Sequence, residues 1–507
     1  MAVKLSEGGE KLSQTGLPRL AFMLFTTTII YFSISGCTQR SGINPSDPAG
    51  TASTHSLSNA DLELPAASLT TDQLPTFHAG KALAHQPWVK APTITDARDG
   101  LGPLYNAPTC LACHMGGGRG ILPADGKTPV FSALLRLSLP AESGSDALLL
   151  HEGSVPHPVY GDQLQVQSTT LSHELRRKKP TEMAANGKLA PEAYLYIDWK
   201  TKLFTYPDGQ QVTLSHPKAR AEYLAYGPVA DTVQTSLRVA PAIHGMGLIE
   251  LIPQSEIAAL ADPDDLNRDG ISGRVNQVWD KRSQSTQPGR FGLKANRSSL
   301  EMTVAGAFAN DVGISNPLFP SQPCTQPQTL CQQQINGNNA EGFELPDNLL
   351  LLVTDFNRAL GVPSRSSELI ARTEQGAELF VQTGCTQCHH PEFNTAESSR
   401  FPQLGNQKIW PFSDFLLHDM GPDLADGRPD FLASGSEWRT APLWGMASVI
   451  AISQRFHQRL GLLHDGRAGS VEEAILWHGG EAAAVRQAFT QLPQPERKAL
   501  LQFVESL

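Results

Sequence analysis

The chain is poor in positive charge and gathers none of its basic residues into a cluster. It carries 40 Lys and Arg against 50 Asp and Glu, which gives a formal net charge of −10 at pH 7. A protein that follows a phosphate backbone needs a basic patch or stripe, so we expect no nucleic-acid partner. Aromatic residues are also few, at 7%, but 40% hydrophobic residues are typical of a globular chain rather than a disordered one.

Long apolar runs are scarce as well. The uncharged stretch at residues 20–34 follows Lys4, Lys11 and Arg19 and ends just before Ser35-Gly36-Cys37. It is too short for a comfortable membrane span and has the length of a signal-peptide core. The small residues before Cys37 resemble the lipobox of bacterial lipoproteins, so we expect residues 1–36 to be a lipoprotein signal peptide. An uncleaved anchor is the alternative.

This N-terminus predicts where the protein resides. Lipidation of Cys37 would tether the chain to a membrane in the bacterial periplasm, and Thr38 rather than Asp after it weakly favours the outer membrane, by resemblance to the sorting rules of bacterial lipoproteins. Residues 37–75 are rich in Ser, Thr, Pro, Gly and Asn, with few large apolar residues. That composition is typical of a flexible linker.

Cysteine is rare, and its spacing is informative. Apart from Cys37, the cysteines form three close pairs, and two of these pairs lie in C-x-x-C-H motifs. Two thiols at this spacing reach the two vinyl groups of a haem, and the adjacent imidazole becomes an axial ligand of the iron. A redox dithiol does not need the histidine twice, and no second C-x-x-C lies at zinc-ribbon spacing. We therefore expect two covalently bound haem c groups. The attachment residues are Cys110, Cys113, Cys385 and Cys388, and the axial ligands are His114 and His389.

The third pair, Cys324 and Cys331, encloses a short polar loop that contains Pro327. In an oxidising compartment this spacing favours a disulfide. A reactive redox pair is the alternative.

An internal repeat follows the two haem motifs. Residues 238–246 read RVAPAIHGM, and residues 439–446 read RTAPLWGM. Each segment lies downstream of its own C-x-x-C-H, which indicates two copies of one haem-binding unit.

Longer stretches carry a family resemblance. The second half contains CTQCHHPEF, FSDFLLHDMG, RTAPLWGM and LLHDGRAGSVEEAILWHGGEA, and it is similar to the C-terminal domain of the bacterial di-haem cytochrome c peroxidase and MauG superfamily. The first half contains LGPLYNAPTCLACHMGGGRG, RVAPAIHGMGLIELIP, LADPDDLNRDGISGRVN and GRFGLKA, and it resembles the narrower branch called di-haem oxidoreductase, putative peroxidase. The resemblance runs from about residue 78 to residue 507.

The resemblance implies a distal ligand for the second haem. In the peroxidase family this ligand, usually Met, lies fourteen residues beyond a motif histidine that corresponds here to His464, and that position is His478. Replacing a thioether with an imidazole lowers the iron potential. A capping or surface role for His478 is the alternative. Family motifs near the second haem are also matched by His418, Arg439, His464 and Arg467. We expect a pairing of arginine with the haem propionates, and helix capping or packing is the alternative role.

For the first haem, no residue stands at the family's usual distal-histidine spacing, so we expect an open sixth position. Peroxide cleavage then needs a distal acid–base group. Glu250, just after the Arg-x-Ala-Pro segment, is our first candidate and His244 the second; an exposed helical glutamate is the alternative. Asp265, Asn267 and Asp269 alternate as in a calcium loop. Position twelve is Asn276 instead of Glu, so the segment is a possible calcium site but not an EF-hand.

These observations predict a mainly α protein with two cytochrome c-like haem domains, at residues 76–340 and 341–507. Alternating stretches and Asp208-Gly209 predict a β-rich insertion at about 140–235 with a hairpin turn. The expected function is a peroxidase-like oxidoreductase. Peroxide or an organic or thiol substrate would meet the first haem, and a soluble partner such as a small cytochrome or cupredoxin would exchange electrons through the second. A non-catalytic electron-transfer cytochrome and a MauG-like oxidation of a protein or thiol are the alternatives.

Overall fold

The computed structural model of the protein describes residues 42–55, 61–94, 98–170 and 178–507. The predicted signal peptide and the predicted lipid-bearing Cys37 lie outside these residues. In the described part of the chain, none of the helices combines the length and the hydropathy needed to cross a bilayer.

Several helices begin where a serine can cap them. Ser299, Ser366 and Ser470 each accept a hydrogen bond from a main-chain N–H in the first turn that has no partner within the helix. The α-helices of the described residues are α1 (Leu74–His85), α2 (Cys110–Cys113), α3 (Asp146–Glu152), α4 (Pro180–Ala185), α5 (Met246–Glu250), α6 (Gln254–Ala258), α7 (Leu300–Ala307), α8 (Thr329–Gln332), α9 (Asp347–Arg358), α10 (Ser367–Gln382), α11 (Met446–Arg455), α12 (Val471–Trp477), α13 (Ala483–Gln491) and α14 (Gln494–Ser506).

The strands pair two by two: β1 with β10, β2 with β4, β3 with β7, β5 with β6, β8 with β9, β11 with β12 and β13 with β14. Only the β1–β10 pair among these is parallel. The strands are β1 (Ser53–Thr54), β2 (Leu104–Tyr105), β3 (Ala133–Ser138), β4 (Gln167–Ser168), β5 (Tyr194–Thr205), β6 (Gln211–Glu222), β7 (Gln234–Val239), β8 (Gln277–Asp280), β9 (Ser285–Pro288), β10 (Val362–Pro363), β11 (Phe393–Asn394), β12 (Lys408–Ile409), β13 (Leu417–Asp419) and β14 (Glu437–Arg439).

The structure is mixed rather than mainly α, with 31% helix and 18% strand. Much of the strand content lies in the β5–β6 hairpin, whose strands have 12 residues each. The hairpin turns at Asp208-Gly209, as predicted, with Gly209 at φ 87°. Short strand pairs elsewhere supply regular structure where frequent Gly and Pro interrupt longer helices.

The described parts of residues 37–75 depart from the predicted flexible linker. Ala49, Ala52 and Leu62 are buried, and β1 pairs with β10. A Cβ added to Gly361 would lie 2.4 Å from Thr54 Cγ2. Gly361 next to β10 thus lets the two backbones approach closely, and the alanines Ala49 and Ala52 of the predicted linker are fully buried.

Two helix pairs pack in the same way, and each includes the helix that precedes a C-x-x-C-H motif. Helix α1 meets α9 at Gly80, where an added Cβ would lie 2.3 Å from the Leu352 carbonyl oxygen. Helix α10 meets α14 at Gly376, where it would lie 2.1 Å from the Ala499 carbonyl oxygen. Each pair therefore depends on a glycine that lets two helix backbones approach closely.

The buried apolar side chains form one large cluster around each helix pair and a third in the β-rich part. The first includes Phe77, Trp88, Leu248, Phe308 and Phe356. The second includes Phe380, Phe412, Trp438, Phe489 and Phe503. The third includes Leu135, Tyr160, Leu195, Ile197 and Leu237.

Candidate functional site

The first motif, residues 110–114, lies on the short helix α2, which Thr109 caps by accepting a hydrogen bond from the Leu111 N–H. His114 Nδ1 lies 2.6 Å from the carbonyl oxygen of Pro241, which belongs to the first Arg-x-Ala-Pro segment. A carbonyl can only accept, so Nδ1 carries the proton and Nε2 keeps a free lone pair. A hydrogen bond from the other ring nitrogen to a carbonyl is the usual way in which a protein orients a metal-binding histidine.

The second motif, residues 385–389, has the same arrangement. His389 Nδ1 donates to the Phe412 carbonyl oxygen at 2.9 Å. Burial lowers the pKa of His389 to about 4, and burial also lowers the pKa of His114. Both imidazoles are therefore neutral near pH 7, with Nε2 available as a ligand atom.

One cavity of about 500 Å³ is lined by the cysteines and histidines of both motifs. The four cysteines are free thiols. Burial raises the pKa of Cys110 and Cys113 to about 12 and that of Cys385 to about 11. A reactive dithiol needs a lowered thiol pKa, so these pairs do not have the character of redox dithiols. The cavity is large and apolar, and each of the two motifs places two cysteines beside a neutral histidine. This arrangement fits two covalently attached haems.

His478 follows the last residue of α12 and lines the same cavity. Its Nδ1 donates to the Ala474 carbonyl oxygen at 2.7 Å, so Nε2 is again free. Burial lowers the pKa of His478, and His478 in turn contributes to the lowered pKa of His389. The two histidines are thus close enough to interact, which suits a pair of axial ligands.

The segment before α12 has a structural counterpart before α7. Bridges join Phe291 to Arg297 and Leu462 to Ala468, and the serine caps of α7 and α12 follow two residues later in both cases. His478 stands eight residues after the serine cap of α12. The residue eight positions after the serine cap of α7 is Ala307. Ala307 lines the cavity too. The first unit therefore has a methyl group where the second has an imidazole.

The two Arg-x-Ala-Pro segments are also structural counterparts. Gly245 and Gly445 have left-handed conformations, with φ of 68° and 72°, and each immediately precedes a helix. The next helical residues, Met246 and Met446, both line the cavity. The predicted repeat is therefore present in the backbone conformation as well as in the amino-acid sequence.

The structure does not bring Glu250 to the cavity. Arg358 Nε lies 2.6 Å from Glu250 Oε2, and Glu250 Oε1 accepts a hydrogen bond from the Leu300 N–H. Glu250 is absent from the described residues that line the cavity. His244 does line it, with Nε2 3.0 Å from the Trp444 carbonyl oxygen and burial lowering its pKa to about 4.

His418 lies between two carboxylates beside the second motif. Its Nε2 is 2.8 Å from Asp414 Oδ2, and its Nδ1 is 2.7 Å from Glu481 Oε2. Burial would lower the pKa of His418, but these carboxylates and the nearby Cys388 thiol raise it to about 12. Cys388, Asp414 and His418 have ligand atoms within 4.8 Å of one another. Because both imidazole nitrogens are committed to carboxylates, we assign no metal to this group.

Three other residues singled out by the sequence have different environments. Arg439 lines the cavity, and its Nε donates to the Gly292 carbonyl oxygen at 2.8 Å. His464 also lines the cavity, and its ring stacks on Trp438 with centroids 3.7 Å apart. Arg467 instead pairs with Asp465 at 2.8 Å and is not among the described residues that line the cavity.

Several partly buried arginines line the cavity and have no carboxylate within ion-pair distance among the described residues. They are Arg119, Arg297 and Arg439. Burial lowers the pKa of Arg119 and Arg439 to about 10. A buried cation calls for an anion, and haem propionates would supply anionic oxygens that arginine binds well.

The predicted calcium loop and disulfide lie away from the cavity lining. Asp265, Asn267 and Asp269 each accept a hydrogen bond from a main-chain N–H within the loop; Asn267 and Asp269 are exposed, and Asp265 is partly buried. Calcium there stays a prediction. Cys324 and Cys331 are disulfide-bonded, with Cα atoms 5.6 Å apart.

Sequence reasoning missed Asp311 and Arg297. Asp311 lies in a π-helical turn, Phe308–Val312, that continues α7, and it lines the cavity. Nothing in the sequence FANDV at residues 308–312 predicts such a turn. No sequence signal marks Arg297 either, because the matched bridges and serine caps place it opposite Ala468 of the second unit.

Comparison with known proteins gives one match. The family model described as di-haem oxidoreductase, putative peroxidase matches residues 42–507. The searches of curated proteins and of solved structures found no match.

Proposed function

The chain belongs to the di-haem oxidoreductase, putative peroxidase family, and on that basis we propose that it is a periplasm-facing, peroxidase-like enzyme with two haem c groups. In this proposal the first haem meets the substrate, and the second relays electrons. Haem bound at these motifs would supply the one-electron iron couple and a coordination site for peroxide.

The two motifs support covalent attachment in two cytochrome c-like domains, residues 76–340 and 341–507. The thiols of Cys110, Cys113, Cys385 and Cys388 are free and face a shared cavity. The carbonyl groups of Pro241 and Phe412 hold the imidazoles of His114 and His389 in the tautomer that binds iron.

The position of Ala307 is the observation that carries the catalytic part of the proposal. Its counterpart His478 offers a free Nε2 to the cavity, so the second haem would be ligated on both faces. Ala307 offers only a methyl group. A haem that activates peroxide needs one vacant face, whereas a haem that only transfers electrons is best filled on both.

The route of electrons and the location follow from the same assignment. A soluble one-electron donor, such as a small cytochrome or a cupredoxin, would reduce the second haem. Lipidation at Cys37 would keep the enzyme on a membrane facing the periplasm. The competing function, a non-catalytic electron-transfer cytochrome, is favoured only by the imidazole at His478.

Spectroscopy of the haem-loaded protein tests the proposal. We expect EPR to resolve one low-spin haem that ignores cyanide and one haem that binds it. Ala307→His should convert the cyanide-binding haem to a low-spin, cyanide-insensitive one. Ala307→Leu is the matched control, because it fills the same space without a ligand atom. Two low-spin haems in the native protein, both insensitive to cyanide and peroxide, would overturn the catalytic proposal.

A further inference from the structure

Asp311 lies at the cavity next to the first motif. Its main-chain oxygen accepts hydrogen bonds from the N–H groups of Asn106 and Ala107, at 2.8 and 3.0 Å. Its carboxylate is close enough to raise the pKa of the Cys110 and Cys113 thiols, although burial raises them more. The charged side chain that most affects His114 is instead Arg119.

Asp311 also lies on the helical side that carries Ala307. It follows Ala307 by four residues, which is about one turn, and both residues line the cavity. Because Ala307 is the counterpart of a ligand histidine, this face of the helix is directed at the coordination position that we propose to be vacant. Asp311 is the one Asp or Glu among the described residues that line the cavity.

The carboxylate is held in place. Gln163 Nε2 donates to Asp311 Oδ1 at 2.8 Å and also contacts the Asn310 carbonyl oxygen at 3.1 Å. Charged groups face Asp311 from neighbouring segments: Arg136 of β3, Arg297 before α7, and Asp162. Burial raises the pKa of Asp311 even though both arginines oppose this rise, so the group can hold a proton nearer to neutral pH than an exposed aspartate does.

We propose that Asp311 is the acid–base residue that transfers the proton when peroxide is cleaved at the first haem, and that Gln163 positions it. The carboxylate takes a proton from one oxygen of hydrogen peroxide and returns it to the other as the O–O bond breaks, so that this other oxygen leaves as water. Two electrons from the soluble one-electron donor and two solvent protons convert the remaining oxygen to a second water. This inference rests on the proposed function.

Cyanide binding tests the residue without relying on turnover. Hydrogen cyanide must lose its proton as its anion binds ferric iron, whereas imidazole binds as a neutral molecule and loses none. In Asp311→Asn we expect cyanide association to slow by about 10²-fold, the lower range for general acid–base catalysis, with imidazole association unchanged. The rate of reaction with peroxide should fall in parallel.

Two further variants control the experiment. Glu192→Gln is the matched control, because Glu192 is a buried carboxyl whose pKa burial raises to about 8 and which accepts a hydrogen bond from a glutamine amide, yet it is absent from the described cavity lining. It should leave cyanide association unchanged. Asp311→Glu retains a carboxyl group and should recover much of the lost rate, also if Asp311→Asn binds too little haem to be measured.

The failure of this inference is distinct from failure of the proposed function. If neither cyanide nor imidazole binds to the native protein, the vacant site is absent and both proposals fall. If both ligands bind normally and Asp311→Asn associates with cyanide at the native rate, only the role of Asp311 is overturned. Equal slowing of cyanide and imidazole would also overturn it, because that result indicates a change in access.

Discussion

His244 and Trp444 belong to the two Arg-x-Ala-Pro segments, and His244 Nε2 lies 3.0 Å from the main-chain oxygen of Trp444. Each residue precedes the left-handed glycine that begins a helix. The contact therefore joins the two repeats directly. Because Nε2 donates, Nδ1 is an acceptor, and it has no hydrogen-bond partner among the described residues.

The pH dependence of stability should reveal this neutral histidine. Burial lowers the pKa of His244 from 6.5 to about 4, so the unfolded chain takes up a proton at a higher pH than the folded one. The free energy of unfolding should therefore fall by about 3 kcal/mol from this group as pH decreases from 6.5 to 4. His244→Gln should remove that contribution. Denaturant unfolding over a pH series measures it, and an identical pH slope in both proteins would contradict the prediction.

Replacing the second distal ligand should change one haem potential. In His478→Met a thioether replaces an imidazole, which should raise the midpoint potential of one haem by the order of 100 mV and leave the other unchanged. A spectroelectrochemical titration resolves the two haems. The exposed His78→Met on α1 is the control and should shift neither potential. An unchanged titration of His478→Met would remove His478 from the ligand set.

The sequence was most informative where chemistry requires adjacent residues. The C-x-x-C-H motifs, the hairpin turn at Asp208-Gly209 and the repeated Arg-x-Ala-Pro segments could all be identified from local letters. Glu250 could not be excluded that way, because Arg358, which binds it, lies 108 residues further along the chain. Asp311 could not be found, since its access to the cavity depends on a π-helical turn and on Gln163 from a distant segment.

The composition of the N-terminal segment was a misleading guide to its structure for a related reason. Residues 42–55 contain the small polar residues of a linker, yet β10 gives them a partner that lies some three hundred residues away. The correspondence of Ala307 with His478 cannot be recognised from the amino-acid sequence either. It rests on matched bridges, serine caps and helices, which are properties of the backbone rather than of residue identity.

The close helix crossing at Gly376 can be tested by adding one methyl group. Gly376→Ala would place Cβ 2.1 Å from the Ala499 carbonyl oxygen, so α10 and α14 must separate. Overpacking of this kind should lower the free energy of unfolding by about 1–3 kcal/mol, in spite of the better helix propensity of alanine. Gln375→Ala, the exposed neighbour on the same helix, should change stability by less than about 0.5 kcal/mol. A neutral Gly376→Ala in denaturant unfolding would argue against this crossing.

Asp430 allows the strength of the buried charge network to be measured. Its carboxylate lies 2.5 Å from Arg238 Nη2 and 2.7 Å from Arg428 Nη1, and all three side chains are buried. Burial alone would raise the pKa of Asp430, but Arg238, Arg428 and Lys294 hold it well below its usual range. The group therefore stays ionised in the folded state.

Asp430→Asn would leave two buried guanidinium groups without this counter-charge, and we expect the free energy of unfolding to fall by about 3–5 kcal/mol. The control is the same substitution at Asp423, which pairs with Lys202 in an ion pair whose side chains are about half exposed. A pair of that kind contributes about 0–1 kcal/mol. Denaturant unfolding at pH 7 compares the two variants. Equal small losses would show that Asp426, near Arg238, and Asp162, which pairs with Arg428, supply enough counter-charge without Asp430.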